Sequence, residues 1–511
     1  MLNTDPSMIR DQRGSMIPLL IVFIVVIGII SVSVGGAIVA TFTSVKTSEQ
    51  SALALNIAEA GVNYYVWHLN HDGSDLKDGN PSAILGPDGY GPFVHDYRDM
   101  TGKVVGKYTL YIKPTLVGSS VVVVRSIGEV DGIRRSVDAR LGAMSYAAYA
   151  VAGNQALWFG DNETANGPVH SNVGVKMDGP STGTVSSANT SYRVPSNHGN
   201  GRNTIQPGVW CDPTVTSPVN CNTRNKSNWL YPAAKLDFVR LSSDMCDLKK
   251  LATSLSGPSA CDALPSRTES YVPPVSTNYN RNTGYLIELN SNGTYRLSRV
   301  TNERDKRPAA QALTTVLIAN NIPIPANGVI FVEDNVWLRR SSNAGFDGRV
   351  TIVAARLSGS ATGNSDANIV FAGSVTYADQ YNGDDAIGGI AEGSVEIAPY
   401  AGVPLEIHGA YIAKSGDFVY RQRSREDNTY TKGWVNGVEK FRFFGSVSVY
   451  GMWTWSYFGY SCSNENSPHC WQGYRWTETA YDENLRYNPP PSFPLTDTFE
   501  VLAWREVLVR P

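Results

Sequence analysis

From Gly328 onward the chain reads GVIFVEDNVWL (328–338), GRVTIVAA (348–355), NIVFAGSVTYA (368–378), IGGIAEGSVEIA (387–398) and LEIHGAYIAKSG (405–416). These runs begin 20, 20, 19 and 18 residues apart, and each sets Val, Ile and Leu beside Gly, Asn or Asp. A repeat of this length, with two short strands per step, predicts a parallel β-solenoid. Each turn of such a coil buries its aliphatic side chains against the next, at a strand spacing of about 4.8 Å. The hairpins of a β-sandwich would recur at about 8 to 12 residues with two-residue turns, which is not the spacing here.

Working outward, ALWFGDNETANGPVHSNVGV (156–175) reads as an opening coil of the same kind. His170, beside Ser171 and Asn172, reads there as a structural turn residue. Residues 231–255 predict one amphipathic helix through Leu236, Val239, Met245 and Leu248. TGYLIELNSNGTYRLSRV (283–300) predicts a hairpin turning at Asn292 and Gly293. Cys211, Cys221, Cys246, Cys261, Cys462 and Cys470 all fall in this region, and sequence neighbours would close loops of 10, 15 and 8 residues. Each such bond is worth about 2–4 kcal/mol in an oxidising compartment. About fifteen connectivities are open; the nearest-neighbour set is the expected one, and six reduced thiols are the competing state. Beyond residue 450, Trp453, Trp455, Tyr457, Phe458, Tyr460, Trp471, Tyr474 and Trp476 crowd together. They read as a cap on the last coil, or, through Trp453, Trp455, Trp471 and Trp476, as contacts for a surface glycan or protein ligand.

Composition fits this reading. A chain of 511 residues needs at least two cores, and 47 Gly, 28 Pro and 26 Tyr with only 17% charged residues suit turn-rich β structure. A net charge of −3 offers no footprint for a polyanion, so no nucleic-acid partner is expected. Without CxxC, HExxH, GxSxG, a P-loop or a dinucleotide fingerprint, no metal, cofactor or nucleophile is expected. Solenoids do host glycan-cleaving enzymes with paired carboxylates, and Asp379, Asp384, Asp385, Glu392 and Glu396 are the acids at hand. No Arg or Lys stands at a matching position, and YADQYNGDDAIGG reads as a solvated turn. No catalytic residue is therefore assigned, and a tethered carbohydrate-active enzyme is the lesser alternative.

At the other end, Ser15 to Val45 carries no charge, and IPLLIVFIVVIGIISVSVGGAIVA (17–40) is apolar throughout. Its 24 residues as a helix reach about 36 Å, against a bilayer core of about 30 Å. Arg10 and Arg13 before it, against Lys46 after it, place the amino terminus in the cytoplasm and the bulk of the chain outside. Leu53, Ile57, Ala60, Tyr64 and Trp67 continue one apolar helix face, and HDG at 71–73 stops it. After a loop over 71–100, β-rich runs at Tyr108–Lys113, Val121–Arg125 and Arg134–Leu141 predict an antiparallel sheet laid on that helix. Gly118-Ser119 and Asp131-Gly132 are its hairpin turns.

A short leader ending in Arg13-Gly14, a long apolar helix starting at once, and AEAG at 58–61 resemble the type IV pilin superfamily, most closely minor pilins of the PilX type. The order of the remaining pieces resembles the uncharacterised β-helical domains fused to such anchors. The resemblance implies cleavage by a prepilin peptidase between Gly14 and Ser15. It implies other pilins or pseudopilins and a membrane assembly platform as partners. Major pilins of the superfamily carry Glu at the fifth mature position, where this chain has Leu19. An intramembrane carboxylate is costly unless paired, so its absence implies a subunit with no neighbour above it. The expected organisation is a leader (1–14), a pilin helix (15–70), an antiparallel sheet (71–145), a β-helical domain (146–450) and an aromatic, Cys-containing cap (451–511). The expected protein is a non-enzymatic minor pilin or pseudopilin at a filament tip, of a type IV pilus or a secretion pseudopilus. The alternative is an uncleaved single-pass surface adhesin or scaffold.

Overall fold

The computed structural model describes residues 16–72, 75–114, 121–161, 163–199, 201, 203–217, 220–304, 312–358, 366–379, 382–421, 441–458, 471–474, 477–496 and 499–508. The chain is mainly β with one long apolar helix, and it divides into two compact units. The smaller holds the chain up to Lys113, then Val124–Ala139 and the segment from Ala503; the larger is chiefly Arg140–Leu502.

In the smaller unit α1 (Met16–His71) is a single helix of 56 residues. Its first half is rich in β-branched residues that disfavour helix in water, but in lipid a helix satisfies every backbone group internally. The hydroxyls of Ser33, Thr41, Thr43 and Thr47 donate to carbonyls one turn back, so they too are satisfied within the helix. The second half packs on an antiparallel sheet of β1 (Tyr90–Arg98), β2 (Val104–Pro114), β3 (Val121–Val130) and β4 (Ile133–Gly142). Asp131 and Gly132 both take positive φ, 48° and 83°, as a tight β3–β4 hairpin demands. The expected turn at 118–119 lies outside the described residues.

Two features of this sheet differ from the sequence reading. β1 falls inside the expected loop of 71–100: Gly91 and Pro92 interrupt the run, and such a strand survives at a sheet edge, where β1 lies. At the other edge the strand Glu500–Val507 pairs next to β4, so the chain closes its first sheet with its last strand. This segment was expected in the carboxy-terminal cap. β4 would otherwise present an open row of backbone donors and acceptors, and EVLAWREV supplies the partner.

The larger unit is built on two parallel ladders between which the chain alternates. One contains, in spatial order, Tyr271–Val272, Val329–Val332, Arg349–Ala354, Ala386–Ala391, Leu405–Ala413 and Phe441–Val449. The other contains Gly284–Leu289, Asn335–Arg340, Ile369–Phe371, Val395–Ile397, Phe418–Tyr420 and Trp453–Thr454. Between them lies a continuous core that includes Ile330, Ile352, Ile369, Val395, Ile407, Phe418 and Val447. The apparent 20-residue period dissolves here. Val329 pairs with Thr351, Thr351 with Gly388, Gly388 with Ala410 and Ala410 with Ser446, so layers are 22, 37, 22 and 36 residues apart. The runs at 348 and 368 are the two strands of one layer, not two layers. Strand register defines a layer, and the loop between its strands varies freely in length.

What holds register is a polar ladder at one corner. Asn368 N–H donates to Asn335 Oδ1 (3.0 Å), Ser394 N–H to Asn368 Oδ1 (2.7 Å), Asp417 N–H to Ser394 Oγ (3.1 Å) and Met452 N–H to Asp417 Oδ1 (2.7 Å). These residues precede the paired positions Val336, Ile369, Val395, Phe418 and Trp453, so each side chain satisfies the next layer's backbone.

The segment around 156–175 joins the stack at the opposite end from the expected one. Val151–Gly153 pairs with Phe441–Val449, and Val169–Ser171, Val185–Ser187 and Trp229–Leu230 follow outward. The earliest strands of the unit thus extend its latest layer. The hairpin Gly284–Leu289 with Thr294–Glu303 forms as expected, and Leu313–Pro323 adds an outer antiparallel strand. The inserted helix is shorter than 231–255: α2 spans Leu241–Thr253. Asp237 Oδ1 accepts from the N–H groups of Val239 and Arg240 and turns the chain into it. Leu236, Met245 and Leu248 are buried, whereas Val239 is 78% exposed.

Candidate functional site

The most distinctive surface is α1 itself. From Met16 to Val45 every residue is exposed, including Ile17, Leu20, Phe23, Ile24 and Phe42, and Leu19 is 73% exposed within this bare stretch. Among the described residues this is the one helix long and apolar enough to cross a membrane. Gly14 and Ser15 lie outside the described residues.

Below it, the face that meets the sheet is not the expected one. The buried stripe is Ala54, Ile57, Ala58, Gly61, Val62, Tyr65 and Leu69, while Trp67 is 55% exposed. Choosing the largest apolar residues at helical spacing selects a stripe displaced from the one the sheet selects, because the contact is set by small residues. A Cβ on Gly128 of β3 would lie 2.0 Å from the Ala54 carbonyl oxygen, and one on Gly61 would lie 2.4 Å from Ser126 Oγ. The AEAG segment thus gives the helix its close approach: Ala58 and Gly61 are the two residues of it that are buried. Tyr64, half-buried beside this face, packs at a tilt against His95 (4.8 Å) and Tyr108 (5.8 Å); burial first, and then Asp78, push both tyrosines up to about 12. Burial also pushes Asp75 upward, but the N–H groups of Lys77 and Gly79 with His68 outweigh it and hold the carboxyl below its usual range. At the closing strand, Arg135 of β4 pairs with Glu506 and donates from Nη1 to Ser51 Oγ of α1 at 2.6 Å.

In the larger unit the expected ligand-contact aromatics divide. Trp455 is buried and packs on Phe441, Trp453, Phe418 and Phe443 at ring-centroid distances of 4.7 to 5.5 Å. Trp453 is half-buried against Phe159 (5.3 Å) and borders a cavity of about 20 Å³, room for about one water. The side chain of Trp471 and all of Trp476, Cys462 and Cys470 lie outside the described residues. Cys211–Cys221 and Cys246–Cys261 are bonded.

The acidic residues are brought into structural roles rather than into one cleft. Asp385, buried, accepts from Gly348 N–H (2.7 Å) and Asp379 N–H (2.9 Å) and so closes its own loop; Asp384 is exposed. Glu392 accepts from Arg356 N–H at 2.8 Å, and burial raises its pKa. Glu396 meets Arg421 of the next layer, whose Nη1 donates to Glu303 Oε2 at 2.6 Å. The position paired with Glu396 is Val419, so no basic residue stands at the matching place, but Arg421 two residues further along that strand reaches back to it. Trp337 Nε1 and Tyr400 Oη also donate to Glu303, which completes a buried network. His170 is buried, with Nδ1 at 3.0 Å from Ser186 Oγ and Nε2 at 3.2 Å from Asn172 Oδ1; burial lowers its pKa. Among the described residues no three His, Cys, Asp or Glu side chains gather as a metal group would require.

No family model matches this chain, and no curated protein matches it. Among solved structures it is similar to the crystal structure of competence-associated pilin ComZ from Thermus thermophilus, at 15% identity over 90% of this chain and 98% of that one, with a TM-score of 0.26. A TM-score that low does not establish a shared fold.

Proposed function

We propose that this chain is a non-enzymatic minor pilin or pseudopilin-like protein. In this reading it works at the tip of a type IV pilus-like filament, and its larger unit is a parallel β-solenoid head outside the cytoplasm that primes assembly or contacts a surface. The observation that carries the proposal is α1, bare and apolar over its first half and seated on an antiparallel sheet over its second. Arg13-Gly14 directly before it supports peptidase cleavage. Alternation of the chain between two parallel ladders, with a polar corner that registers each layer, supports the solenoid.

Leu19 supports the tip: a subunit with no neighbour above it has no reason to keep a costly carboxylate at the fifth mature position. So does bulk, because a head of this size at every position would obstruct lateral packing of subunits. Asp385 and Glu396, spent on loop closure and on Arg421, support a binding role over glycan cleavage. The partners in this reading are other pilins, the assembly platform and the prepilin peptidase. Gold-labelled antibody to the head, applied to sheared filaments, tests it. Label at filament ends is the expected result, and label confined to the cell envelope contradicts it.

A further inference from the structure

The strand that closes the first sheet, Glu500–Val507, is also among the last residues of the chain to be made. Its contacts with β4 fall in reverse order: a Cβ on Gly142 would lie 2.6 Å from Leu502 Cδ1, Arg505 lies 4.0 Å from Asp138, and Glu506 pairs with Arg135. The two strands therefore run antiparallel. The pairing extends into the approach, where Ser145 bridges Leu495, Thr496 N–H donates to the Met144 carbonyl (2.8 Å) and Tyr146 N–H to the Pro494 carbonyl (3.1 Å). Yet Glu500 to Glu506 are all exposed and Val507 is half-buried. The closing strand is held by its ladder and by contacts along its edge, and it places no side chain in a core.

The other four strands of the sheet are complete by Gly142, and more than 350 residues separate β4 from this partner. Synthesis at about 5–20 residues/s puts roughly 20–70 s between them, whereas a hairpin forms in about 1–10 μs. The β4 edge is thus formed long before its occupant exists. Throughout that interval Arg135 is without Glu506. Arg135 donates from Nη1 to Ser51 Oγ at 2.6 Å, so the last strand bears, through one guanidinium, on α1 just beyond the uncharged run that ends at Val45.

We propose that Glu500–Val507 is a completion strand: the helix-bearing unit reaches its final form only after the end of the chain has been exported and has occupied the β4 edge. A chain whose head is unfinished then carries an unfinished sheet. What the edge accepts is an extended peptide added by backbone pairing, and the chain supplies its own. The proposal rests on α1 as the first, membrane-inserted segment of an exported chain; it does not depend on cleavage at Ser15 or on a filament.

Hydrogen exchange of a chain ending at Thr498, in detergent, tests it. Amides of Ile133–Gly142 and of residues 48–55 in α1 are expected to exchange about tenfold faster than in the full-length protein, while Val329–Val332 and Leu405–Ala413 stay protected. The free peptide FEVLAWREVL (499–508) should restore protection to β4. The same peptide with Ala503→Pro and Trp504→Pro should not, because one of two neighbouring residues must present its N–H to the partner strand in an antiparallel ladder. Full-length protein carrying both prolines, which keeps every other residue, is expected to match the shortened chain. The inference is overturned if β4 stays protected in both chains, if the larger unit loses protection in both, or if the unsubstituted peptide leaves exchange unchanged.

Discussion

Replacing Lys249 with Met should be among the most damaging single changes in the larger unit. Lys249 Nζ lies 2.8 Å from Glu333 Oε1 with neither side chain exposed, and it also donates to the Cys261 carbonyl at 2.7 Å. Glu333 accepts in addition from Tyr271 Oη and from Ser358 N–H, so one carboxylate ties α2, the Cys246–Cys261 loop and the first layers together. Two fully buried charges roughly break even against water, but removing one partner strands the other at a cost of about 3–5 kcal/mol. Lys249→Met should therefore lower the stability of the full-length protein by that amount in denaturant titration. The double variant Lys249→Met/Glu333→Gln should recover most of it, because the stranded charge is gone and a neutral amide can keep both contacts, its oxygen accepting from Ser358 N–H and its NH2 donating to the Tyr271 hydroxyl oxygen. A loss below about 1 kcal/mol in the single variant, or a double variant no better than the single, refutes the reasoning.

Three other outcomes follow from particular contacts. Asn368→Ala leaves the Ser394 N–H without its 2.7 Å acceptor and should cost about 1–3 kcal/mol, read in the same titration. Gly128→Ala drives a Cβ into the Ala54 carbonyl, a clash with backbone that cannot swing aside, and should reduce protease resistance of residues 50–140 while the larger unit stays intact. Asp244 has one carboxyl oxygen buried without a hydrogen bond, and burial pushes it from 3.8 to about 6 despite Arg240. An acid raised on folding contributes its full stability below about pH 3.8 and loses it as pH rises through about 6. Asp244→Asn should therefore raise the thermal midpoint at pH 7.5, by up to about 3 kcal/mol in free energy, and leave it unchanged near pH 4. A gain of equal size at both pH values contradicts the assignment.

The anchor was legible because a run of uncharged residues longer than a bilayer has few other uses, and α1 ends at His71 where HDG predicts a stop. The hairpin at Asn292-Gly293 was legible because its turn chemistry is local. What spacing did not reveal was everything set by a distant partner. The sheet's closing strand lies more than 350 residues from β4, and nothing in EVLAWREV names its neighbour. Layers of 22 and 37 residues looked like steps near 20 because a loop inside one layer resembles a boundary between two. The Glu396–Arg421 pair was hidden for the same reason. The helix face was misjudged by size: Ala54, Ala58 and Gly61 are weak hydrophobic signals, yet they let the sheet approach. Gly106 and Gly128, alternate with apolar residues along β2 and β3, were the available sign that a backbone comes close there. Of the aromatic group, Trp455 joins the core, in line with the structural reading that sequence preferred over ligand contact for these residues.

The central claim is that α1 is the helix of a processed pilin-like subunit. Mass spectrometry of the amino-terminal peptide, from sheared filaments and from membranes of cells with and without their prepilin peptidase, addresses it most directly. The account predicts a start at Ser15 in the filament fraction that disappears without the peptidase. An intact Met1 found in membranes alone, unchanged by the peptidase, would contradict it and leave an anchored surface protein.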